Sequence, residues 1–405
     1  MHYAHTPSRG ILRVIHVGIS CLACFHSISS LSCPRLLCSA LLCCRVKRPW
    51  HASRPHCSGS LASAFLPTHP PPPVATIMVL RQSAGRPRPL WLLFVLSFFA
   101  AQASASYGDR LPIFQSCVEI CEKENCASDS PTAIPLLHRL LYWTCPAECD
   151  YTCQHIVTDL RVAASEEIVQ FHGKWPFYRF LGMQEPFSVF FSLLNFLAHQ
   201  NGLSKITLGI PASYPLRKYY TTFAYFGMAS WVFSMIFHTR DFAATEQLDY
   251  FAAGASVLYG FYYTPIRIFR MDQGGRKMKS TLRAWTAVCI SMYVAHVTYL
   301  KSYKWDYTYN MAANVTLGII QNSLWSWFSF VRYRRSGRLW AMWPGFVVAW
   351  IMVVMSLEVL DFPPWFGCLD AHSLWHLGTV GPTMVWYNFL LKDAQDDIAG
   401  QRLKA

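Results

Sequence analysis

The stretch AHSLWHLGTVGPTMVWYNFLL, residues 371–391, is a continuous apolar segment that carries two histidines near its start. Its length of about 21 residues is enough to cross the hydrocarbon core of a bilayer as a helix. His372 and His376 are four positions apart, so on a helix both side chains project from the same face. The segment therefore predicts a membrane helix with a polar face at one end.

Six further apolar segments of similar length precede this one. The seven predicted spans are 186–203, 220–238, 249–269, 282–299, 311–331, 339–357 and 371–391. The composition agrees, because 53% of the 405 residues are apolar and only 14% are charged. We predict an all-α membrane protein with seven transmembrane helices and a small disulfide-rich lumenal N-terminal domain.

The formal charge of +13 does not indicate a nucleic-acid partner. Seven of the 35 Lys and Arg residues lie in residues 1–77, which contain no Asp or Glu, and most of the others flank the apolar segments. Binding to phosphates needs a contiguous basic surface on one domain, which this distribution does not provide. We expect a membrane to be the partner of these charges.

A signal peptide is predicted at residues 78–105. Arginines follow Met78, the apolar run LWLLFVLSFFAA occupies 90–101, and Ala103-Ser104-Ala105 offers a cleavage site. The run is too short to span a bilayer comfortably. Residues 1–77, which are basic and include four consecutive prolines, are expected to be an unstructured N-terminal extension; a mitochondrial presequence is the rival interpretation.

Six cysteines are regularly spaced in the predicted lumenal domain, residues 106–183. They are Cys117, Cys121, Cys126, Cys145, Cys149 and Cys153. An even number at close spacing after a signal peptide predicts disulfides in an oxidising lumen, with fifteen pairings open for six cysteines. Zinc binding by these thiols is the alternative, although gaps of three and four residues are less typical of it than gaps of two.

The loops predict the orientation. Those after the first, third and fifth spans are the more basic, with six Lys or Arg between Arg267 and Arg283 and four between Arg332 and Arg338. Basic loops stay cytoplasmic, so the loops after even-numbered spans and the N-terminal domain should be lumenal. Residues 184–392 then form the seven-helix domain, and 393–405 form a cytoplasmic tail.

Five polar residues share the lumenal end of this arrangement. Ser234 and His238 end the second span, Asp249 begins the third, and His372 and His376 begin the seventh. Ionisable residues at membrane helices tend to mark function. Three imidazoles with an open position for water are typical of catalytic zinc, with Asp249 as general base and acid and Ser234 as orienting or oxyanion group.

This pattern resembles the CREST superfamily of seven-helix membrane hydrolases. Within it, the cysteine-rich head and the stretches FHTRDFAATEQLDYFAAG (237–254) and DAHSLWHLGTVGP (370–382) resemble the post-GPI-attachment-to-proteins family of GPI-specific phospholipase A2-like proteins. The resemblance covers about 107–392. It implies zinc-dependent hydrolysis of the sn-2 acyl ester of GPI-anchored proteins, in Golgi or ER membranes, to give lyso-GPI.

Three alternatives stay open. A seven-helix receptor of the same superfamily would use the zinc structurally, and an amidase would attack ceramide with the same chemistry. In the third, the protein is a chaperone for GPI-anchored cargo, with the cysteine-rich domain as its binding module.

Overall fold

The computed structural model describes residues 106–126 and 134–402, which belong to one compact unit. Within these ranges the chain forms helices, turns and isolated β-bridges, and no β-strand. The predicted all-α class is therefore confirmed. The predicted extension 1–77 and signal peptide 78–105 lie outside the described residues.

Three disulfides join the two main helices of the head, residues 106–183. The head helices are α1, Pro112–Asn125; α2, Leu136–Leu140; and α3, Cys145–Ala163. The pairs are Cys117–Cys153, Cys121–Cys149 and Cys126–Cys145, an order that makes α1 and α3 antiparallel. The predicted disulfides are confirmed, and in this pairing none of the six sulfurs is a free thiol for a metal.

Two tight turns shape residues 170–185, hereafter the connecting segment, which forms the end of the head and leads to the next helix. Gly173 and Gly182 have φ values of +77° and +78°, a region that favours glycine. His172 and Leu181, which precede them, also have positive φ, as in type I′ turns. The segment therefore folds back on itself twice.

Seven further α-helices of 18 residues or more follow in the described part of the chain. They are α4, Pro186–Gly209; α5, Arg217–Thr239; α6, Ala243–Ile268; α7, Arg276–Thr298; α8, Tyr307–Ser336; α9, Trp343–Leu360; and α10, Ala371–Arg402. Each predicted apolar segment falls largely on one of them. Helix α10 continues past the predicted end at 391. Asp393 and Ala394, which lie beyond that end, are still buried.

Six of these helices form a closed ring. Neighbours pack in the order α4, α5, α6, α8, α9, α10 and back to α4, while α7 lies against α6. The approach of α4 to its neighbours requires glycine: a Cβ at Gly227 would lie 2.2 Å from the His199 ring, and one at Gly202 would lie 2.2 Å from the Tyr387 ring. Helix α4 is therefore held closely between the two helices that carry the predicted site histidines.

Apolar side chains cover much of the outer surface. Exposed examples on α7, α8 and α9 are Val288, Ile290, Val294, Ile319, Phe330, Met352 and Val353. By length and hydropathy, one helical stretch in the described ranges, Leu339–Glu358, meets the criterion for a membrane span. Polar residues within other helices, such as Asn310 and Gln321 in α8, lower their hydropathy, and seven spans stay a prediction.

Candidate metal centre

Three histidines meet at one end of the ring. His238 lies in the last turn of α5, and His372 and His376 lie in the first two turns of α10. One nitrogen from each ring lies within 4.8 Å of the other two. His238 and His376 are buried, and His372 is partly buried. The structure thus brings together residues that the sequence placed on two separate helices.

Each of the three rings has its Nδ1 atom already engaged. His238 Nδ1 lies 2.7 Å from Glu185 Oε2, and His372 Nδ1 lies 3.0 Å from Glu358 Oε2. His376 Nδ1 lies 3.0 Å from Ser192 Oγ. Metal-binding histidines commonly bond a carboxylate or another polar group through the nitrogen that does not face the metal. The three Nε2 atoms are therefore left as ligands.

The chemistry of this donor set fits zinc. Three imidazole nitrogens and an open fourth position are typical of a catalytic site, whereas a structural zinc has four protein ligands. The carboxylates on His238 and His372 orient the rings and make them stronger ligands. His238, His372 and His376 are the residues that would hold the ion.

Backbone contacts place Glu185 beside His238. The Glu185 N–H donates to His238 O, and the Gln184 N–H donates to Thr239 O, both at 3.0 Å. Pro186 begins α4 immediately afterwards. Glu185 is therefore fixed on both sides, by the start of one helix and the end of another.

A reciprocal cap sets the start of α10. Asp370 Oδ1 accepts from Ser373 N at 2.9 Å, and Ser373 Oγ accepts from Asp370 N at 3.0 Å. Such a pair satisfies two backbone N–H groups and fixes the first turn. His372 lies within that turn, so its direction is set by the cap.

Ser234 reaches the cluster through a second serine. Ser234 Oγ lies 3.0 Å from Ser192 Oγ, which in turn lies 3.0 Å from His376 Nδ1. Both serines are buried. Ser192 bonds the His376 ring because α4 and α10 pack closely enough to bring the two side chains together.

Asp249 lies in the second turn of α6, which begins six residues earlier than the predicted span. It is partly buried and within electrostatic reach of His238 and His372. The fifth predicted residue therefore faces the same end of the ring as the histidines.

A lysine of the connecting segment reaches the edge of the site. Lys174 Nζ lies 2.6 Å from Glu185 Oε1 and 3.0 Å from Asp241 Oδ2. Burial alone would lower the pKa of Lys174, but the two carboxylates outweigh it and raise that pKa above its ordinary value. The amine is therefore a fixed positive charge.

Sequence reasoning missed Glu185, Lys174 and the role of Glu358. Glu185 stands directly before a proline at a helix start, which is a common place for a carboxylate. Glu358 falls just outside the predicted sixth span, 339–357, and lies in the last turn of α9. Only the packing of separate elements shows that each meets a histidine.

The fold and the site together define a class of protein. Its members are all-helical, with a disulfide-bonded head and a three-histidine cluster at one end of a ring of helices. The model of the Per1-like family matches residues 135–394, which include the whole cluster. This chain belongs to the Per1-like family.

Several relatives align over most of their length. Protein PER1 homolog of Schizosaccharomyces pombe is 41% identical over 315 residues, 76% of this chain and 93% of the relative. GPI-specific phospholipase A2-like PGAP3 of Xenopus laevis is 37% identical, over 74% of this chain and 94% of the relative. The human protein of the same name is 36% identical, over 75% and 93%. The resemblance to this family is thereby confirmed.

Proposed function

We propose that this protein is a zinc-dependent lipid hydrolase that removes the sn-2 acyl chain of GPI-anchored proteins and leaves lyso-GPI. The observation that carries the proposal is the histidine cluster, in which all three Nδ1 atoms are engaged and three Nε2 atoms are left for a metal. The printed name of the vertebrate relatives, GPI-specific phospholipase A2-like, supports the substrate class.

The proposed chemistry is ester hydrolysis. Bound zinc supplies a Lewis acid that polarises the ester carbonyl and makes water a nucleophile near neutral pH. Asp249 takes a proton from the attacking water and gives it to the departing glycerol oxygen. Ser234, bonded to Ser192, orients the water or donates to the carbonyl oxygen as it gains negative charge. The products are a fatty acid and a lyso-lipid.

The proposed setting is a membrane of the secretory pathway, Golgi or ER. The loops that follow α5, α7 and α9 lie at the histidine end of the alternating helices, and the positive-inside rule makes those loops lumenal. The acyl ester of a GPI anchor lies just below the headgroups of that leaflet. A metal at the lumenal ends of α5 and α10 would therefore stand at the depth of the ester.

The test compares purified wild type with His376→Ala for zinc content and for release of fatty acid from a GPI-anchored protein. We expect the variant to lose both, because it lacks one of three ligands. His296→Ala is the matched control, since His296 lies on α7 outside the cluster. A folded His376→Ala protein with full zinc and full deacylation would contradict the proposal, and turnover of ceramide alone would favour the amidase.

A further inference from the structure

The connecting segment links the head to the metal centre through a buried carboxylate. Glu185 is 5% exposed, and its two oxygens have different partners. Oε1 lies 2.6 Å from Lys174 Nζ, and Oε2 lies 2.7 Å from His238 Nδ1. A buried carboxylate needs a charged or hydrogen-bonding partner for each oxygen. Lys174, Glu185 and His238 therefore form one continuous chain.

Lys174 is itself held in place. Its amine also lies 3.0 Å from Asp241 Oδ2 and 4.3 Å from the centre of the Phe237 ring. Phe237 precedes His238, and Asp241 follows it by three residues. The lysine thus contacts the end of α5 on both sides of the histidine, although it comes from the head side of the chain.

The same segment also contacts the chain just after Glu358, the partner of His372. Asp361 accepts from Gln170 Nε2 at 2.9 Å and from Trp175 Nε1 at 2.8 Å. Asp361 follows the end of α9 and has φ +32°, so its backbone is held in the left-handed region. The connecting segment therefore holds the carboxylate partner of His238 and contacts the chain three residues after the carboxylate partner of His372.

We propose that Lys174 is a positioning residue of the metal centre, which holds Glu185 in the orientation that fixes His238 as a ligand. This inference rests on the proposed zinc site. It gives the head a role in the chemistry, because the residue that orients the carboxylate lies outside the helix ring. Loss of the lysine leaves Glu185 with one partner in a buried position, free to turn away from His238.

The test measures zinc affinity of purified full-length protein by competition with a chelator, for wild type, Lys174→Met and Lys174→Arg. We expect Lys174→Met to bind zinc about tenfold more weakly, as when other outer-shell partners of metal ligands are lost. Lys174→Arg keeps the charge and should recover most of the affinity. Lys123→Met is the matched control, because Lys123 pairs with Glu119 on the exposed surface of the head.

Activity supplies a second readout. Deacylation by Lys174→Met should fall at limiting zinc and return at excess zinc with an unchanged KM for the lipid, which a purely structural lysine would not produce. Glu185→Gln should weaken zinc binding similarly. The double variant Lys174→Met/Glu185→Gln should bind zinc no more weakly than the single variant with the lower zinc affinity. If Lys174→Met does not fold, Lys174→Gln, which keeps a donor without the charge, replaces it with the same expectation.

The outcomes separate this inference from the proposed function. Zinc affinity of Lys174→Met or Lys174→Gln equal to that of wild type would overturn the role of Lys174 while leaving the site intact. A wild type that binds zinc no better than His376→Ala would overturn the site itself, and the role of Lys174 with it.

Discussion

Ser192 joins Ser234 to His376, so at the residue scale the serine proposed to act in catalysis is one of a pair. We expect Ser192→Ala to lower deacylation at least as much as Ser234→Ala, because it removes the contact to the histidine as well as the contact between the serines. About a tenfold loss of kcat is expected for either, at the low end of the range for loss of an outer-shell partner of a metal ligand. Kinetics on a GPI-anchored substrate measures it.

Ser329→Ala is the control for that comparison. Ser329 is buried and donates to Ala341 O at 2.7 Å, away from the histidines. Loss of this hydrogen bond should lower the stability of the protein and leave kcat equal to that of wild type. A Ser192→Ala enzyme with full activity beside an impaired Ser234→Ala enzyme would contradict the proposed pairing.

His155 in the head predicts a dependence of stability on pH. Burial lowers its pKa to about 4, and its Nε2 lies 3.1 Å from Phe177 O. The unfolded chain, with a pKa near 6.5, binds the proton more readily, so stability falls as the pH drops from about 6.5 towards 4. The shift in pKa corresponds to about 3 kcal/mol in the free energy of unfolding. His155→Gln should remove this dependence of stability on pH.

Hydrogen exchange of the α3 amides against pH checks this expectation in the intact protein. His172→Gln is the control, because the hydrogen bond to Asp150 raises the pKa of His172 and places its effect above about pH 6.5. An unchanged acid slope in His155→Gln would show that another group is responsible.

Helical spacing predicted which histidines would share a face, since an i, i+4 pair has only one arrangement on a helix. It could not predict Glu185 or Ser192 as partners. Each partner lies about 50 or more residues from its histidine, and the contact depends on how two helices pack. Local periodicity contains no information about that packing.

At the scale of elements, a buried ion pair clamps the other end of the ring. Arg267 of α6 donates twice to Asp393 of α10, at 2.5 and 2.7 Å, and both side chains are buried. Arg267→Met should destabilise the protein by about 3 kcal/mol, because it leaves a buried carboxylate with only Arg332 at 3.2 Å. Thermal unfolding in detergent measures the loss.

The double variant Arg267→Met/Asp393→Leu should be less destabilised than Arg267→Met, since no unpaired charge remains. Lys123→Met, which removes an exposed ion pair with Glu119, should change the stability little, because solvent screens such pairs. A double variant as unstable as the single one would show that the effect comes from lost packing. The predicted end of the last span at 391 overlooked this clamp, because a charged residue in sequence looks like the end of an apolar segment.

At the scale of the whole molecule, the proposed function requires the histidines to face the lumen. Lys304 lies in the loop after α7, on the histidine side, and Lys277 lies at the start of α7; both are exposed. In sealed microsomes, an impermeant maleimide should label Lys277→Cys directly and Lys304→Cys only after the lumen is opened. The two positions control for each other. Direct labelling of Lys304→Cys, with labelling of Lys277→Cys only after the lumen is opened, would show that the site faces the cytoplasm.

The seven helices after the head followed from the apolar segments, because hydropathy is a local property of the sequence. The turns of the connecting segment were not predicted, although Gly173 and Gly182 lie in them. Their importance comes from contacts to Asp361 and Glu185, which only the assembled molecule shows.

Deacylation of GPI anchors by the three-histidine centre can be measured in cells. Mass spectrometry would compare the GPI anchors of cells that lack this protein after complementation with wild type or with His372→Ala at equal abundance. We expect wild type to restore removal of the sn-2 chain and His372→Ala to leave the original chain in place. Full restoration by His372→Ala would contradict the proposed function.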